Sequence, residues 1–263
     1  TTGQYGGIGA LIRKAGDYTI ISEPYEGFPA QKAGLMAGDT LMSIDGINIK
    51  GKSVSEVSTL LKGTPHTQVI LLVKRDTSGT IKISFDRENI TIPNVPYYGL
   101  MGNEIGYIRL SNFTKDAGKE VRKAFINLKD QGAKSIIFDL RNNPGGLLNE
   151  SVEVTNIWVD KGQEIVSTRG KAKQWDNEYV TERNALDTLI PLAILVNRGS
   201  ASASEIVAGA LQDLDRAVVI GERTFGKGLV QTTRPLSYKT HLKITTAKYY
   251  IPSGRCIQAL DYT

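Results

Sequence analysis

The sequence has few of the side chains that disulfide frameworks and metal sites require. Its 263 residues include one cysteine, Cys256, and two histidines, His66 and His241, which lie in unrelated sequence contexts. A single cysteine excludes a disulfide within the chain. The scattered histidines argue against a Ser-His-Asp triad and against a histidine-rich metal site. We therefore expect no metal and no cofactor, and a nucleophile would need a different base.

Long apolar segments and charged tracts are also missing. The longest apolar run, residues 189–196, has eight residues and contains Pro191. It is too short to cross a bilayer and is typical of a buried strand. We interpret the net charge of +5 as spread along the chain, which does not indicate nucleic-acid binding. With 40% hydrophobic and 22% charged residues, the chain is predicted to be globular, with one or two domains.

Residues 1–76 form the first predicted unit. The segment Gly6-Gly7-Ile8-Gly9 precedes a strand-like stretch. Residues 53–62 have helical spacing, with Ser53 or Ser55 as the N-cap. The apolar residues on one face of that helix are Val54, Val57, Leu60 and Leu61.

The spacing of proline, glycine and aspartate over residues 29–46 (PAQKAGLMAGDTLMSIDG) makes this unit resemble a PDZ domain. The resemblance implies a peptide groove between the strand after Gly9 and the helix, to which an extended peptide adds a strand. The expected groove residues on the helix are Val54, Val57 and Leu61. The amides of Gly7, Ile8 and Gly9 would bind the carboxylate that ends the peptide, because glycine-rich nests of N–H groups hold anions.

Residues 77–98 are predicted to bridge two domains. Alternating Ile81, Ile83 and Phe85 begin the bridge as a strand, and two prolines then interrupt it. Residues 99–263 alternate strand-like and helix-like segments, which favours a layered α/β domain.

Three serines, Ser200, Ser202 and Ser204, stand among alanines at the start of a predicted helix over residues 202–214. Any of the three is a candidate nucleophile. Ser202 also forms a Ser-x-x-Glu capping box with Glu205, so a purely structural role at the helix start is the alternative interpretation.

Lys227 is the candidate base. The helix extends about 18 Å, and the strand-like run 216–221 returns about as far. The chain then reaches Lys227, which lies between Gly226 and Gly228. Most lysines are solvated surface charges, so this one would act as a base only where apolar neighbours exclude water from its ammonium. The candidates for that lining are Phe225, Leu229 and Val230.

The segment Asp139–Gly146 (DLRNNPGG) follows an apolar strand and precedes a helix. A simple Pro-Gly turn explains it by itself. A strand–turn–helix with two glycines can also expose backbone amides to a substrate.

Three motifs resemble those of the C-terminal processing (tail-specific) serine peptidases: SASASE at residues 200–205, TFGKG at residues 224–228, and Gln231. The resemblance implies that Ser202 is the nucleophile, Lys227 the base, and Gln231 the residue that orients the lysine. In the same family the DLRxNPGG turn supplies part of the oxyanion hole. The implied donors are the amides of Gly145 or Gly146, with that of Ala203.

The resemblance covers essentially the whole chain. It implies an α/β (α+β) fold, with a PDZ domain over 1–76 and a crotonase-like peptidase core of repeated ββα units over 99–263. It also implies protein or peptide substrates with free C-termini, no nucleic-acid partner, and a location in the periplasm or cell envelope of a bacterium. Homo-oligomers are left open. No signal peptide or membrane anchor is visible, and we expect the chain to be a fragment.

Two alternatives remain at this point. A PDZ-containing protein on an inactive peptidase scaffold would bind peptides without cleaving them. An acyl-CoA enzyme on the related fold would need acid and base carboxylates, and none stands out in the sequence.

Overall fold

The computed structural model describes residues 4–76 and 79–259. The chain divides into two compact units, one ending at Ile92 and one beginning at Pro93. Among the helices in the described ranges, none is long and apolar enough to cross a membrane.

The first unit is an antiparallel sheet with two helices. Its elements are β1 (Gln4–Gly7), β2 (Ala10–Ala15), β3 (Tyr18–Pro24), α1 (Pro29–Lys32), β4 (Thr40–Ile44), β5 (Ile47–Asn48), α2 (Val54–Leu61), β6 (Gln68–Arg75), β7 (Gly79–Asp86) and β8 (Glu88–Thr91). The main sheet has the order β2-β3-β4-β6-β7, and β1 pairs with β8. Strand β2 therefore lies at an edge of the sheet.

The expected separate bridge over 77–98 is not what the structure contains. Residues 79–91 form β7 and β8 and belong to the first unit. The reason is the alternating apolar pattern, because Ile81, Ile83 and Phe85 pack against the core of this unit. Pairing of β7 with β6 then places the unit boundary at Pro93, later than the sequence pattern suggested.

Arg87, between β7 and β8, holds the end of α2. Its side chain is buried, with 7% of the residue exposed. It donates to the carbonyl oxygens of Leu60 and Leu61, at 3.0 and 3.2 Å, and to that of Gln68 at 2.8 Å. The last carbonyls of a helix have no partner within the helix, so Arg87 satisfies two of them.

Over residues 93–259 the second unit contains two sheets and three α-helices. Its elements are β9 (Tyr97–Met101), β10 (Ile105–Arg109), α3 (Ala117–Asp130), β11 (Ser135–Asp139), α4 (Leu148–Thr155), β12 (Glu164–Gly170), β13 (Asn177–Val180), β14 (Leu192–Val196), α5 (Ala203–Asp213), β15 (Val218–Gly221), β16 (Leu229–Pro235) and β17 (His241–Tyr250). The larger sheet has the order β15-β14-β11-β10-β9, and the smaller one β13-β12-β17-β16. The mixed α/β architecture predicted from the alternating pattern is confirmed.

The larger sheet is parallel except for β9. Alternate residues of its strands, such as Ile108, Phe138 and Ile194, form one buried cluster with the apolar faces of α3, α4 and α5. In a parallel sheet the carboxyl ends of neighbouring strands meet at one edge. The segments that follow β11, β14 and β15, three consecutive neighbours, are therefore brought together.

We predict that Arg87→Met destabilises the first unit by about 3 kcal/mol, because buried carbonyl groups lose their donors. Hydrogen–deuterium exchange of residues 54–61 should become faster in the variant. Arg13→Met, at an exposed arginine of β2, is the matched control and should leave exchange in α2 unchanged. Unchanged exchange in Arg87→Met would contradict the assigned role.

Candidate active site

The three serines of the SASASE motif differ in what their hydroxyl groups bind. Ser200 and Ser204 are fully buried. The Ser200 hydroxyl donates to the Leu140 carbonyl oxygen at 2.8 Å, and that of Ser204 to the Asn143 carbonyl oxygen at 2.9 Å. Ser202 is partly exposed, so it alone of the three has a hydroxyl available to a substrate.

Ser202 lies at the turn from β14 into α5 and has an unusual backbone conformation. Its φ of 56° and ψ of −113° fall outside the regions that non-glycine residues favour. The predicted capping box with Glu205 is present, but the hydroxyl makes no cap hydrogen bond of good geometry. The Glu205 amide donates instead to the Ser202 carbonyl oxygen at 2.8 Å. Strained residues of this kind are concentrated at functional sites.

The carboxylate of Glu205 joins the start of α5 to the loop between β15 and β16. This loop, residues 222–228, contains Lys227 and is called the lysine loop below. Glu205 is buried, with 6% of the residue exposed. Its Oε2 accepts the amides of Ser202, at 2.7 Å, and of Lys227, at 2.9 Å. Its Oε1 accepts the Thr224 hydroxyl at 2.7 Å and the Gly226 amide at 2.6 Å. One oxygen atom thus contacts the backbones of both the candidate nucleophile and the candidate base.

The side chain of Lys227 is exposed, and the expected burial of its ammonium is not found. Of the predicted lining, Phe225 is 65% exposed, and Leu229 and Val230 are only partly buried. The physical reason lies in the two neighbouring glycines. They bring the main chain of the loop against another segment, and this leaves the lysine side chain on the outer side.

That other segment is the stretch 257–259. A Cβ at Gly228 would lie 2.2 Å from the Gln258 nitrogen, and one at Gly226 would lie 2.3 Å from the Ala259 Cβ. The Ala259 amide donates to the Gly226 carbonyl oxygen at 2.9 Å. Only glycine fits at either position, so this close packing fixes the course of the lysine loop.

Gln231 is exposed in β16. It pairs with Thr245 of β17, whereas the preceding residue, Val230, pairs with Ala247. Thr246 of β17 therefore has no partner on β16 and forms a bulge in β17. Alternation along β16 is therefore unbroken, and Gln231 lies on the same face as Leu229.

The turn after β11 makes several hydrogen bonds to the loop between β14 and α5, residues 197–202. Asn143 is fully buried, and its side chain donates to the Leu110 carbonyl oxygen at 2.8 Å. Its own carbonyl oxygen accepts the Ala201 amide at 3.0 Å, in addition to the Ser204 hydroxyl. Asn142 and Asn197 add two more bonds between the loops, at 2.9 Å each.

The two glycines of this turn have different environments. The Gly145 amide donates to the Asn143 side chain at 2.9 Å, so it is not free to serve as an oxyanion donor, and that prediction is corrected. A Cβ at Gly145 would lie 2.9 Å from the Ser202 Cβ and 2.8 Å from the Ala203 nitrogen. Within residues 79–259, the amides of Gly146 and Ala203 make no hydrogen bond.

An ionised cluster stands at the end of β11. Asp139 is buried and accepts bonds from the Tyr107 hydroxyl at 2.6 Å and from the Arg141 side chain at 2.6 to 3.1 Å. Burial alone would raise the pKa of Asp139, but the bonds from Arg141 and Tyr107 outweigh it and lower that pKa. Burial and, after it, the same carboxylate raise the pKa of the Tyr107 hydroxyl. The carboxylate therefore stays charged and anchors the first residues of the turn.

Asp213, the last residue of α5, has a structural role. It pairs with Arg255 at 3.2 Å and accepts the Ser253 amide at 3.0 Å. It takes no part in the serine and lysine cluster.

The predicted peptide site of the first unit has two features of a groove. The amides of Ile8 and Gly9 make no hydrogen bond within residues 4–76 and 79–92, and β2 has one unpaired edge. Val54 is partly exposed, whereas Val57 and Leu61 are in the apolar core. Those two residues would form the floor of a groove rather than its accessible wall.

Comparison with known proteins agrees with this architecture. A model of peptidase family S41 matches residues 104–262, and a PDZ domain model matches residues 20–75. The chain belongs to peptidase family S41. The family and the PDZ domain are thus those that the motifs indicated.

Several S41 relatives match along nearly the whole chain. A protein of Staphylococcus aureus (strain COL) named as a CtpA-like serine protease is 39% identical over 97% of this chain and 51% of its own length. A carboxy-terminal-processing protease of Bartonella bacilliformis is 38% identical over 100% of this chain and 61% of its own. Among solved structures, a photosystem II D1 C-terminal processing protease is 35% identical, with a TM-score of 0.59, over 98% of this chain and 70% of its own. The chain spans about half the length of the Staphylococcus relative.

Sequence reasoning missed the residues that hold this S41 site together. Asn143 was read only as part of a turn, and Glu205 only as a helix cap. A buried carboxylate is costly unless it is hydrogen-bonded, and Glu205 stands in a mostly apolar helix, directly before Ile206 and Val207. That conflict was the available signal for a second role.

We predict that Glu205→Gln destabilises the second unit by about 3 kcal/mol, because the amide group cannot accept all four bonds. Both tryptophans, Trp158 and Trp175, are in this unit, so urea denaturation followed by tryptophan fluorescence measures it selectively. The exposed Glu178→Gln serves as the control and should not shift the midpoint. Equal midpoints for Glu205→Gln and the wild type would remove the central role given to this carboxylate.

Proposed function

We propose that this S41 chain is a serine endopeptidase that cleaves protein substrates near their C-terminal ends by a Ser202–Lys227 dyad. The observation that carries the proposal is the shared contact with Glu205, because the amides of Ser202 and Lys227 bond the same carboxylate oxygen. The partly exposed hydroxyl of Ser202, compared with the bonded hydroxyls of Ser200 and Ser204, supports the choice of nucleophile.

In the proposed reaction the Ser202 hydroxyl attacks the scissile carbonyl carbon, and the Lys227 amine accepts the hydroxyl proton. The tetrahedral oxyanion is stabilised by the unbonded amides of Gly146 and Ala203, which typically contribute about 3 kcal/mol each. The lysine then returns the proton to the leaving amine, and an acyl ester forms on Ser202. Water, deprotonated by the same amine, attacks the ester carbonyl, and the amine then returns the proton to the Ser202 oxygen as its bond to the acyl carbon breaks.

A lysine acts as a base only after its ammonium has lost water and its proton. The side chain of Lys227 is exposed in this structure, so water is not yet excluded from it. We propose that a bound substrate covers the lysine and supplies the missing apolar surface, as in other substrate-driven closures. Gln231 would then accept a hydrogen bond from the lysine and fix its position.

The PDZ domain would select the substrate. Its free Ile8 and Gly9 amides suit a terminal carboxylate, and the edge of β2 suits an extended peptide. The proposed partners are therefore proteins with free C-termini, and we propose an extracytoplasmic location by analogy with processing peptidases.

One observation favours a second function. Because Lys227 is exposed, a protein that binds peptides without cleaving them remains a candidate. The two functions make opposite predictions for an acylating probe.

We predict that a fluorophosphonate probe with a long alkyl chain, which can cover Lys227 as a substrate would, labels the full chain and that Ser202→Ala abolishes the labelling. Lys227→Ala should slow labelling by at least about 100-fold, because general-base assistance contributes roughly that much. Ser204→Ala is the matched control and should still be labelled in its folded form, as judged by circular dichroism. No labelling of the folded wild type would favour the binding protein.

We also predict that the Ser202→Ala chain binds a peptide with a free C-terminal carboxylate at least about tenfold more tightly than the same peptide with an amidated end. The difference arises because charge-assisted bonds to backbone amides are lost in the amide. Fluorescence anisotropy of labelled peptides measures both affinities. Equal affinities would argue against carboxylate recognition, and this would leave the probe result unaffected.

A further inference from the structure

The tip of the β16–β17 hairpin displays apolar side chains that nothing in the described chain covers. Tyr238 is 98% exposed, Leu236 53% and Leu242 46%. All three lie within seven residues of one another in the connection between the two strands and its margins. Singly exposed apolar residues are common, but a cluster at the end of a projecting hairpin indicates an interaction site.

The segment that contains this hairpin has a strong excess of positive charge. Residues 223–259 include seven lysines and arginines and no aspartate or glutamate. The net charge of the whole chain is only +5, so the remaining residues have a slight acidic excess. The even spread of charge inferred from the sequence therefore has one clear exception.

The backbone at the tip supports a role for the aromatic ring itself. Tyr238 has a φ of 57°, which is the left-handed region that glycine, asparagine and aspartate occupy most readily. A bulky residue there is uncommon and costs stability. The strained position thus holds an aromatic side chain almost completely in solvent, where it contributes nothing to the core.

We propose that this hairpin docks at the surface of an anionic phospholipid bilayer. Tyr238, Leu236 and Leu242 would enter the headgroup region, where tyrosine is favoured because its ring is apolar and its hydroxyl is polar. The exposed His241 and Lys243 would face the lipid phosphates. A nucleic acid would also attract the cations but offers no apolar layer to the two leucines. For this reason the lipid surface is the preferred partner.

The experiment uses the full 263-residue chain and two kinds of vesicle, phosphatidylcholine alone and phosphatidylcholine mixed with phosphatidylglycerol. In a flotation assay the chain should bind the anionic vesicles and not the neutral ones, and added salt should weaken the binding. The double variant Leu236→Ser with Tyr238→Gly should lose at least about tenfold in binding. Glycine relieves the strained φ, so thermal unfolding should show that the fold is kept.

Leu189→Ser is the matched control, because Leu189 is 88% exposed at a different place in the second unit. It should bind as the wild type does. Tyr238→Trp should show a blue shift of its added fluorescence with anionic vesicles, which reports entry into an apolar layer. Equal binding to both kinds of vesicle, undiminished binding of the double variant, or binding without a blue shift would each overturn the proposal. None of these measurements depends on peptidase activity.

Discussion

The geometry of the candidate site depends on a buried carboxylate surrounded by hydrogen-bond donors. Glu205 is the third residue of α5, and from there it reaches the amide before the helix and three groups of the lysine loop. Removing a charge from water is costly, and the four bonds offset that cost only while both loops keep their positions. The four hydrogen bonds therefore offset the free-energy cost of burying the carboxylate. They also set the distance between the start of α5 and the lysine loop, which are about twenty residues apart in sequence.

The topology of the parallel sheet makes this interaction available. The neighbouring strands β11, β14 and β15 end at the same edge of the sheet. The turn after β11, the start of α5 after β14 and the lysine loop after β15 therefore meet there. Asn143 joins the turn after β11 to the start of α5, as Glu205 joins the lysine loop to it. Both residues are buried polar groups whose partners are almost all backbone atoms. Backbone partners persist through side-chain substitution, so the scaffold can hold the site while its exposed residues vary.

Much of this could be predicted from the sequence. The apolar patterns at residues 189–196 and 202–214 located β14 and α5 to within three residues at each end, because periodic or continuous apolar segments indicate a buried element. Short and mostly exposed strands such as β9 and β13 were missed, because four or five residues with no buried side chain show no clear apolar pattern. The motifs led to Ser202 and Lys227, but no local pattern states which serine is left without a bond. The exposure of Lys227 was predicted wrongly for a related reason. Its two glycines indicate close packing of the main chain, and they do not indicate which side of the loop is packed.

The contact between Gly228 and the stretch 257–259 limits which segments of two homologous peptidases can be joined in a chimera. Since there is no space for a Cβ beside Gln258, the lysine loop and this later stretch must come from the same parent in a chimera, although thirty residues separate them. The turn between β16 and β17 lies between these two segments in sequence and is largely exposed. An inserted loop there would lengthen the hairpin without disturbing the contact between Gly228 and Gln258, so exchange of the hairpin tip between homologues is structurally permitted.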